Sequence, residues 1–397
     1  MAHLFAQSLA VLTTLLAIAG MGYFVAALVA AQRFLALRRF TPAEFAPGVT
    51  ILKSLKGLDP GMLEGFRGHC RQNYGGEYEL LFGVSAEDDP GAAVVRELQA
   101  EFPERSIRLV VCPERLGTNG KVSTLVQLLP HAHYDFLLIN DSDIAVSTRY
   151  LQEVMACFVS PCKRKRDVQK KVGLVTTLYR GRAHGTLASR FEALGIATDF
   201  QSGVLLDKLI AGGLSYGLGA TLAVHREALE KIGGLQVLVN HLADDYELGA
   251  RVANAGYRVE LSTEVVETSV PAYDWAGFFE HQLRWARTVR DASPWGYVGL
   301  LFTHGFALAA LNALASGLSP LSLWLLGMSF FLRLALAMTV GTQVLGDHQV
   351  LPSLLWLPIR DVVAMGVWVA GFAGSTIVWR GERFVLKDGR LLSADTR

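Results

Sequence analysis

Three short acidic clusters in the sequence could do chemistry. Val84 leads to Glu87, Asp88, Asp89 and Pro90; the run Phe136 to Asn140 leads to Asp141, Ser142 and Asp143; and His241 is followed by Asp244, Asp245 and Glu247. Carboxylates gathered in one place repel one another, so such a gathering suits a divalent cation or proton transfer. Asp-x-Asp after an apolar strand suits a hard cation shared with a diphosphate, because Mg or Mn prefers carboxylate oxygens and leaves positions open for phosphate. The competing reading of a lone Asp-x-Asp is a turn or helix cap, and that of residues 244 to 247 is an N-cap. A fourth group, His281-Gln282-Leu283-Arg284-Trp285, lies in the amphipathic stretch Trp275 to Arg290. There Trp and Arg could anchor an interfacial helix to lipid headgroups.

The elements that must position these groups are readable from the pattern. Val49 to Lys53, Glu79 to Val84, Ile107 to Cys112, Phe136 to Asn140 and Val172 to Leu178 read as strands, with helical stretches at Ala92 to Glu101 and Lys121 to Leu129. This alternation predicts an α/β domain with a mostly parallel sheet. Ligands in such sheets bind beyond the carboxyl ends of the strands, where the first two acidic clusters fall.

Composition sets the surroundings. Of 397 residues, 51% are hydrophobic and 18% charged, with net charge +1, which suits a mixed membrane and globular chain and argues against a nucleic-acid binder. Cys70, Cys112, Cys157 and Cys162 show no zinc spacing and read as buried or free thiols of a reducing compartment.

No charge occurs from Leu4 to Gln32, long enough to span a bilayer. Arg33, Arg38 and Arg39 follow it, which places the N-terminus outside and the large domain in the cytoplasm. Apolar runs recur at 298 to 318, 321 to 345 and 351 to 379. Arg333 interrupts the second and requires a partner; Arg360 and Asp361 are expected to split the third, leaving Val362 to Trp379 to span. The basic tail Arg380, Arg383, Lys387, Arg390 is expected in the cytoplasm. One of the three runs must then be re-entrant, interfacial or divided. The expected organisation is an anchor at 1–32, a catalytic domain at 47–290 ending in an interfacial helix, membrane segments at 298–379 and a tail at 380–397.

Asp89, Asp141-Ser142-Asp143, Asp245 and Arg284-Trp285 resemble the D, DxD, D, (Q/R)xxRW signature of inverting family 2-type glycosyltransferases. Lys53-Ser54-Leu55-Lys56-Gly57, Gly117-Thr118-Asn119-Gly120-Lys121, Ala243-Asp244-Asp245-Tyr246 and Trp379-Arg380-Gly381-Glu382-Arg383 resemble the ceramide glucosyltransferase family, which includes bacterial hopanoid-biosynthesis glycosyltransferases. His241 to Tyr246, His281 to Arg290 and Thr303-His304 look closer to the hopanoid branch, which would imply a bacterial inner membrane.

The resemblance implies a GT-A fold, a UDP-sugar donor, a divalent cation (Mg or Mn) and a lipid acceptor of ceramide or hopanoid type. It implies that Asp89 binds uridine, that Asp141 and Asp143 take the ribose, metal and diphosphate, and that Asp245 is the general base. Arg284 and Trp285 would sit near the diphosphate and acceptor entrance. His281 departs from the motif, which has Gln or Arg there. Lys121, after Gly117 to Gly120, could reach a donor phosphate or simply follow a glycine turn. The basic run Lys163 to Arg166 with Lys170 and Lys171 reads as a solvated loop, or as a contact with anionic headgroups.

The reaction so implied moves glucose or N-acetylglucosamine to a lipid hydroxyl, giving a β-glycolipid. A processive polysaccharide synthase shares the signature but needs a channel of more spans. A non-catalytic scaffold would have no reason to carry every acidic motif position.

Overall fold

The strands β1 (Val49–Ser54), β2 (Tyr78–Val84), β3 (Ser106–Val111) and β4 (Phe136–Ile139) coincide with the predicted ones to within a residue or two. They pair in parallel, β1 lying between β2 and β4, with Val49 opposite both Tyr78 and Phe136. Their side chains are buried on both faces through Val49, Ile51, Leu52, Leu80, Leu81 and Leu138, which is why they read as apolar runs rather than alternating ones. Three further strands, β5 (Val172–Ala183), β6 (Leu222–His225) and β7 (Arg258–Val270), complete a seven-stranded sheet of order β3-β2-β1-β4-β6-β5-β7. β6 runs antiparallel to β4. The sequence reading gave β5 only in part and contained neither β6 nor β7.

The structure, a computed structural model, describes residues 2–38, 44–159, 170–379 and 382–393. Arg39, Cys162, the basic run Lys163 to Arg166, and Arg380-Gly381 of the tail motif lie outside the described residues.

Two compact units are present. One comprises residues 40–180, 211–269 and 389–397 and holds the sheet; the other comprises 1–39, 181–210 and 270–388. Among the described residues, four helices of the second unit are long and apolar enough to cross a membrane: Gln7–Leu37, Pro294–Ala315, Pro320–Val344 and Val350–Gly371. The first and second run antiparallel. A Cβ on Gly20 would lie 2.4 Å from the Cα of Gly305, and Thr13 and Thr14 donate to Asn312 Oδ1 at 3.2 and 2.9 Å. Arg38, at the end of the first helix, donates to Gln343 O at 3.2 Å, near the end of the third.

The expected break at Arg360-Asp361 does not occur: the helix Leu357–Gly371 continues through both, and Thr376–Trp379 is a strand rather than the end of a span. The charges are tolerated because they are paired. Asp361 accepts two 2.8 Å hydrogen bonds from Arg333, and Arg360 lies 3.0 Å from Asp199. Arg333 thereby meets protein partners.

Candidate active site

The parallel strands bring their carboxyl ends to one edge, and the site is built there. β4 ends at Ile139, and the next residues deliver Asp141 and Asp143. Asp143 is fixed by the end of β7: its Oδ2 accepts from the Thr268 hydroxyl and, at 3.0 Å, from the Ser269 N–H. Burial raises its pKa to about 6, with repulsion from Asp141 and Asp59 adding to the effect. Ser142 points elsewhere and donates to Asp59.

Lys121 is the second residue of the helix Gly120–Leu128, which Asn119 caps by accepting from the Val122 N–H at 3.1 Å. Its ammonium lies 2.7 Å from Asp141 and 3.1 Å from Asp244. Burial opposes that charge, but the two carboxylates outweigh it and hold the ammonium above its ordinary range.

Asp244 and Asp245 are the first residues of the helix Asp244–Asn254, whose N-cap is Ala243 without a side-chain hydrogen bond. Asp245 nevertheless serves the helix start, its Oδ1 accepting from the first-turn Tyr246 N–H at 2.8 Å. Burial, then the neighbouring Asp244, raises Asp245 to about 6, while Lys121 works against the shift. Gly219, in the loop before β6, leaves room for the carboxylates. A Cβ there would stand 3.1 Å from Asp245 Oδ2 and 3.5 Å from Asp141 Oδ2.

The loop 239–242 is tied into the same place. Asn119 Nδ2 donates to His241 O at 2.8 Å and Asp244 Oδ1 at 3.3 Å, and the Thr118 N–H donates to Asn240 Oδ1 at 3.0 Å. On its other side the loop pairs with the tail: Leu391 N–H donates to Asn240 O at 2.8 Å, and Leu242 N–H to Gly389 O at 3.3 Å.

Asp141, Asp143, Lys121, Asp244 and Asp245 thus form one constellation. Asp89 has a different setting, as N-cap of the helix Pro90–Glu101, accepting from Gly91 N–H at 2.8 Å and from Gly57 N–H at 3.1 Å. His281, Arg284 and Trp285 share the helix Trp275–Ala292 of the other unit. His281 Nδ1 is 3.0 Å from Glu192, and its ring stacks on Tyr273 and contacts Trp285.

Sequence reasoning missed Lys53 as an individual site residue. It is fully buried, donates to Asp141 O at 3.0 Å, and is lowered to about 7 by burial, against the pull of Asp143 and Asp141. A lysine inside an otherwise apolar parallel strand was the available signal. Asn119 carried a weaker one, as a polar residue just before a helix. Gly219 and Thr268 carried none.

Among the described residues no three His, Cys, Asp or Glu side chains are arranged to hold a metal by themselves. The donor set is still one a hard cation fits. Asp141 and Asp143 are crowded carboxylates whose repulsion a cation would relieve, and Mg characteristically takes one or two carboxylates plus substrate phosphates rather than a full protein cage.

The family described as glycosyl transferase family 21 matches residues 12–392. Among curated proteins, ceramide glucosyltransferase 3 of Caenorhabditis elegans is 24% identical over 86% of this chain and 73% of its own length. Ceramide glucosyltransferase 1 of the same organism is 23% identical over 88% and 73%. Among solved structures, the mannosyltransferase PcManGT from Pyrobaculum calidifontis, in complex with GDP-Man and Mn2+, superposes with a TM-score of 0.55 at 20% identity, covering 92% of this chain and 97% of that one. The fold is of the GT-A type.

Proposed function

The chain belongs to glycosyl transferase family 21, and from that premise we propose that it transfers a hexose from a UDP-sugar to a hydroxyl of a membrane lipid, inverting the anomeric configuration and releasing UDP. The observation that carries the reading is the convergence of Asp245 and Asp141 over Gly219, with Lys121 spanning Asp141 and Asp244. Two relatives named ceramide glucosyltransferases support glucose as the sugar and a ceramide-like lipid as the acceptor; a hopanoid is the alternative acceptor.

Asp245 takes the proton of the attacking hydroxyl. A carboxyl at about 6 is mostly ionised at neutral pH yet basic enough to accept a proton in the transition state. Asp141 and Asp143 would hold a divalent cation together with the donor diphosphate, and Mn2+ in the complex of PcManGT supports that assignment. When bound, the cation supplies positive charge that offsets the charge developing on the leaving diphosphate. Lys121 shifts from its carboxylate partners to a donor phosphate, adding a second positive contact. Asp89 orients the uracil and ribose end of the donor, while Arg284, Trp285 and His281 serve the diphosphate and the acceptor entrance.

Three contacts support the membrane arrangement. The first two spans are antiparallel, the ends of the first and third meet through Arg38 and Gln343, and the tail pairs by its backbone with loop 240–242 of the sheet-bearing unit. Arg287 and Arg290, at the end of the interfacial helix, donate to the carbonyls of Ala373 and Gly371. The contacts at Gly371 and Ala373 support the reading that Val350–Gly371 is the run that does not cross the membrane. The N-terminus is outside, and the catalytic domain and tail are cytoplasmic.

Incubating the purified enzyme with UDP-glucose, Mn and ceramide tests the reaction. A single-sugar glycolipid with β linkage is expected. A polymer, or no transfer to any lipid despite UDP-glucose binding, overturns the reading.

A further inference from the structure

Asn140 stands between the end of β4 and Asp141, and none of the roles assigned above uses it. It is 1% exposed, a depth at which an amide must find partners. Its Nδ2 donates to Ala220 O at 2.6 Å and to Tyr150 Oη at 3.0 Å, with Thr221 Oγ1 further off at 3.4 Å. A backbone carbonyl can only accept, so the contact with Ala220 fixes which end of the amide faces it. The Tyr150 hydroxyl is itself buried, 2.9 Å from Thr221 Oγ1, and Asn140 Oδ1 lies 3.2 Å from His69 Nε2.

Residues 218–221 form a tight turn directly before β6, closed by the Thr221 N–H donating to Leu218 O at 3.1 Å. A second strand holds the same turn. Thr176, fully buried inside β5, accepts from the Leu218 N–H at 3.0 Å and donates to Thr221 O at 2.8 Å. Gly219 is the second residue of this turn, and the carboxylates of Asp141 and Asp245 both come against it.

The Asn140–Asp141 peptide is anchored in turn on β1. Lys53 donates to Asp141 O at 3.0 Å, and the Asn140 N–H donates to Leu52 O at 3.4 Å. Asn140 therefore reaches from the strand end that delivers Asp141 to the carbonyl beside the glycine on which Asp245 rests. Burial alone would be satisfied by any set of partners. Here the bonds run between the two backbone segments whose spacing fixes the two carboxylates, and errors of a fraction of an ångström in such spacing are costly to a reaction.

We propose that Asn140 and Thr176 are positioning residues of the transfer reaction: they hold the 218–221 turn against the end of β4, and through Gly219 they set the separation of the Asp245 base from Asp141. The proposal rests on the roles given to Asp141 and Asp245 above and adds two residues that touch no substrate.

The test uses the full chain in lipid nanodiscs with UDP-glucose, Mn and ceramide. Asn140→Ala and Thr176→Val each release the turn from one strand, Val keeping the shape of Thr. In each, kcat is expected to fall about ten- to hundredfold, with KM for UDP-glucose and the affinity for UDP and Mn little changed. The same losses in a Gly219→Ala background should be much smaller, because the changes displace one base and residues that act as a unit are not additive. Glu79→Gln serves as the control for stability. Glu79 accepts from Thr50 at 2.7 Å in a buried network at the amino end of β2, so this change should lower the thermal midpoint and leave kcat as it was. Wild-type kcat in both positioning variants overturns the assignment, as do losses that multiply in full with Gly219→Ala. Two variants that fail to fold overturn it as well, since the bonds would then serve the fold alone. A wild type that binds UDP-glucose and glycosylates no lipid overturns the functional reading and the assignment together.

Discussion

Asp245 and Asp141 approach the α-carbon of Gly219 from two elements, their Oδ2 atoms 3.1 and 3.5 Å from the position of its missing Cβ. Glycine is required there for space, because its backbone lies in an ordinary region of φ. Gly219→Ala must push Asp245 by a few tenths of an ångström. Turnover is expected to fall about ten- to hundredfold, since small misplacements of a reacting group are expensive, while UDP affinity and the thermal midpoint stay near wild type. Steady-state kinetics beside calorimetry with UDP and Mn check this; unchanged turnover would detach the pair from catalysis.

Asp245→Asn keeps the shape and removes the base. Asp245 Oδ1 accepts from the first-turn Tyr246 N–H at 2.8 Å, and Asn keeps an acceptor oxygen for that contact, so the helix start is little affected. Turnover is expected to drop roughly 10² to 10⁴-fold with donor affinity little altered. Asp244→Asn loses one of the two carboxylates on Lys121 and should be milder. The reverse ranking would move the base to residue 244.

Acid pH should act on activity and stability in opposite directions. Asp143 and Asp245 both stand at about 6 in the fold, so kcat/KM is expected to decline as pH falls through about 6. A carboxyl whose folded pKa is raised above its unfolded value is penalised when ionised, so the penalty is fully present above about 6 and relieved as pH falls toward the unfolded value. For Asp143 it amounts to at most about 3 kcal/mol. The ligand-free enzyme should therefore gain from these groups in thermal midpoint between pH 7 and 5, and Asp143→Asn should flatten part of that rise. A midpoint that falls equally in both proteins would contradict the shift.

Arg333→Met leaves Asp361 and Asp199 without their shared cation in a buried setting. Removing one partner of such a pair is expected to destabilise by about 3 to 5 kcal/mol. Arg333→Met with Asp361→Leu should recover part of it. Thermal unfolding in detergent compares the two, and an equally stable single variant would show that these ion pairs contribute little.

Single cysteines at His348 and Leu392 should both be labelled from the cytoplasmic side, and one at Ser316 from the outside. External labelling of the tail would require Val350–Gly371 to cross.

The sequence alone determined the sheet's first four strands, the acidic residues at their ends and the apolar helices, because each depends on a local pattern: a buried run, a following carboxylate, or a length of uncharged chain. It marked Arg333 as needing a partner without naming one. Tertiary structure decided what depends on residues far apart. Lys53 under Asp141, Thr268 on Asp143 and Gly219 beneath two carboxylates bring together segments separated by tens of residues or more, and no periodicity encodes those meetings. The run at 351 to 379 was misread for the same reason: Arg360 and Asp361 look like a break when judged by neighbours in sequence. In the fold their charges are compensated by Asp199 and Arg333, so the helix continues through them.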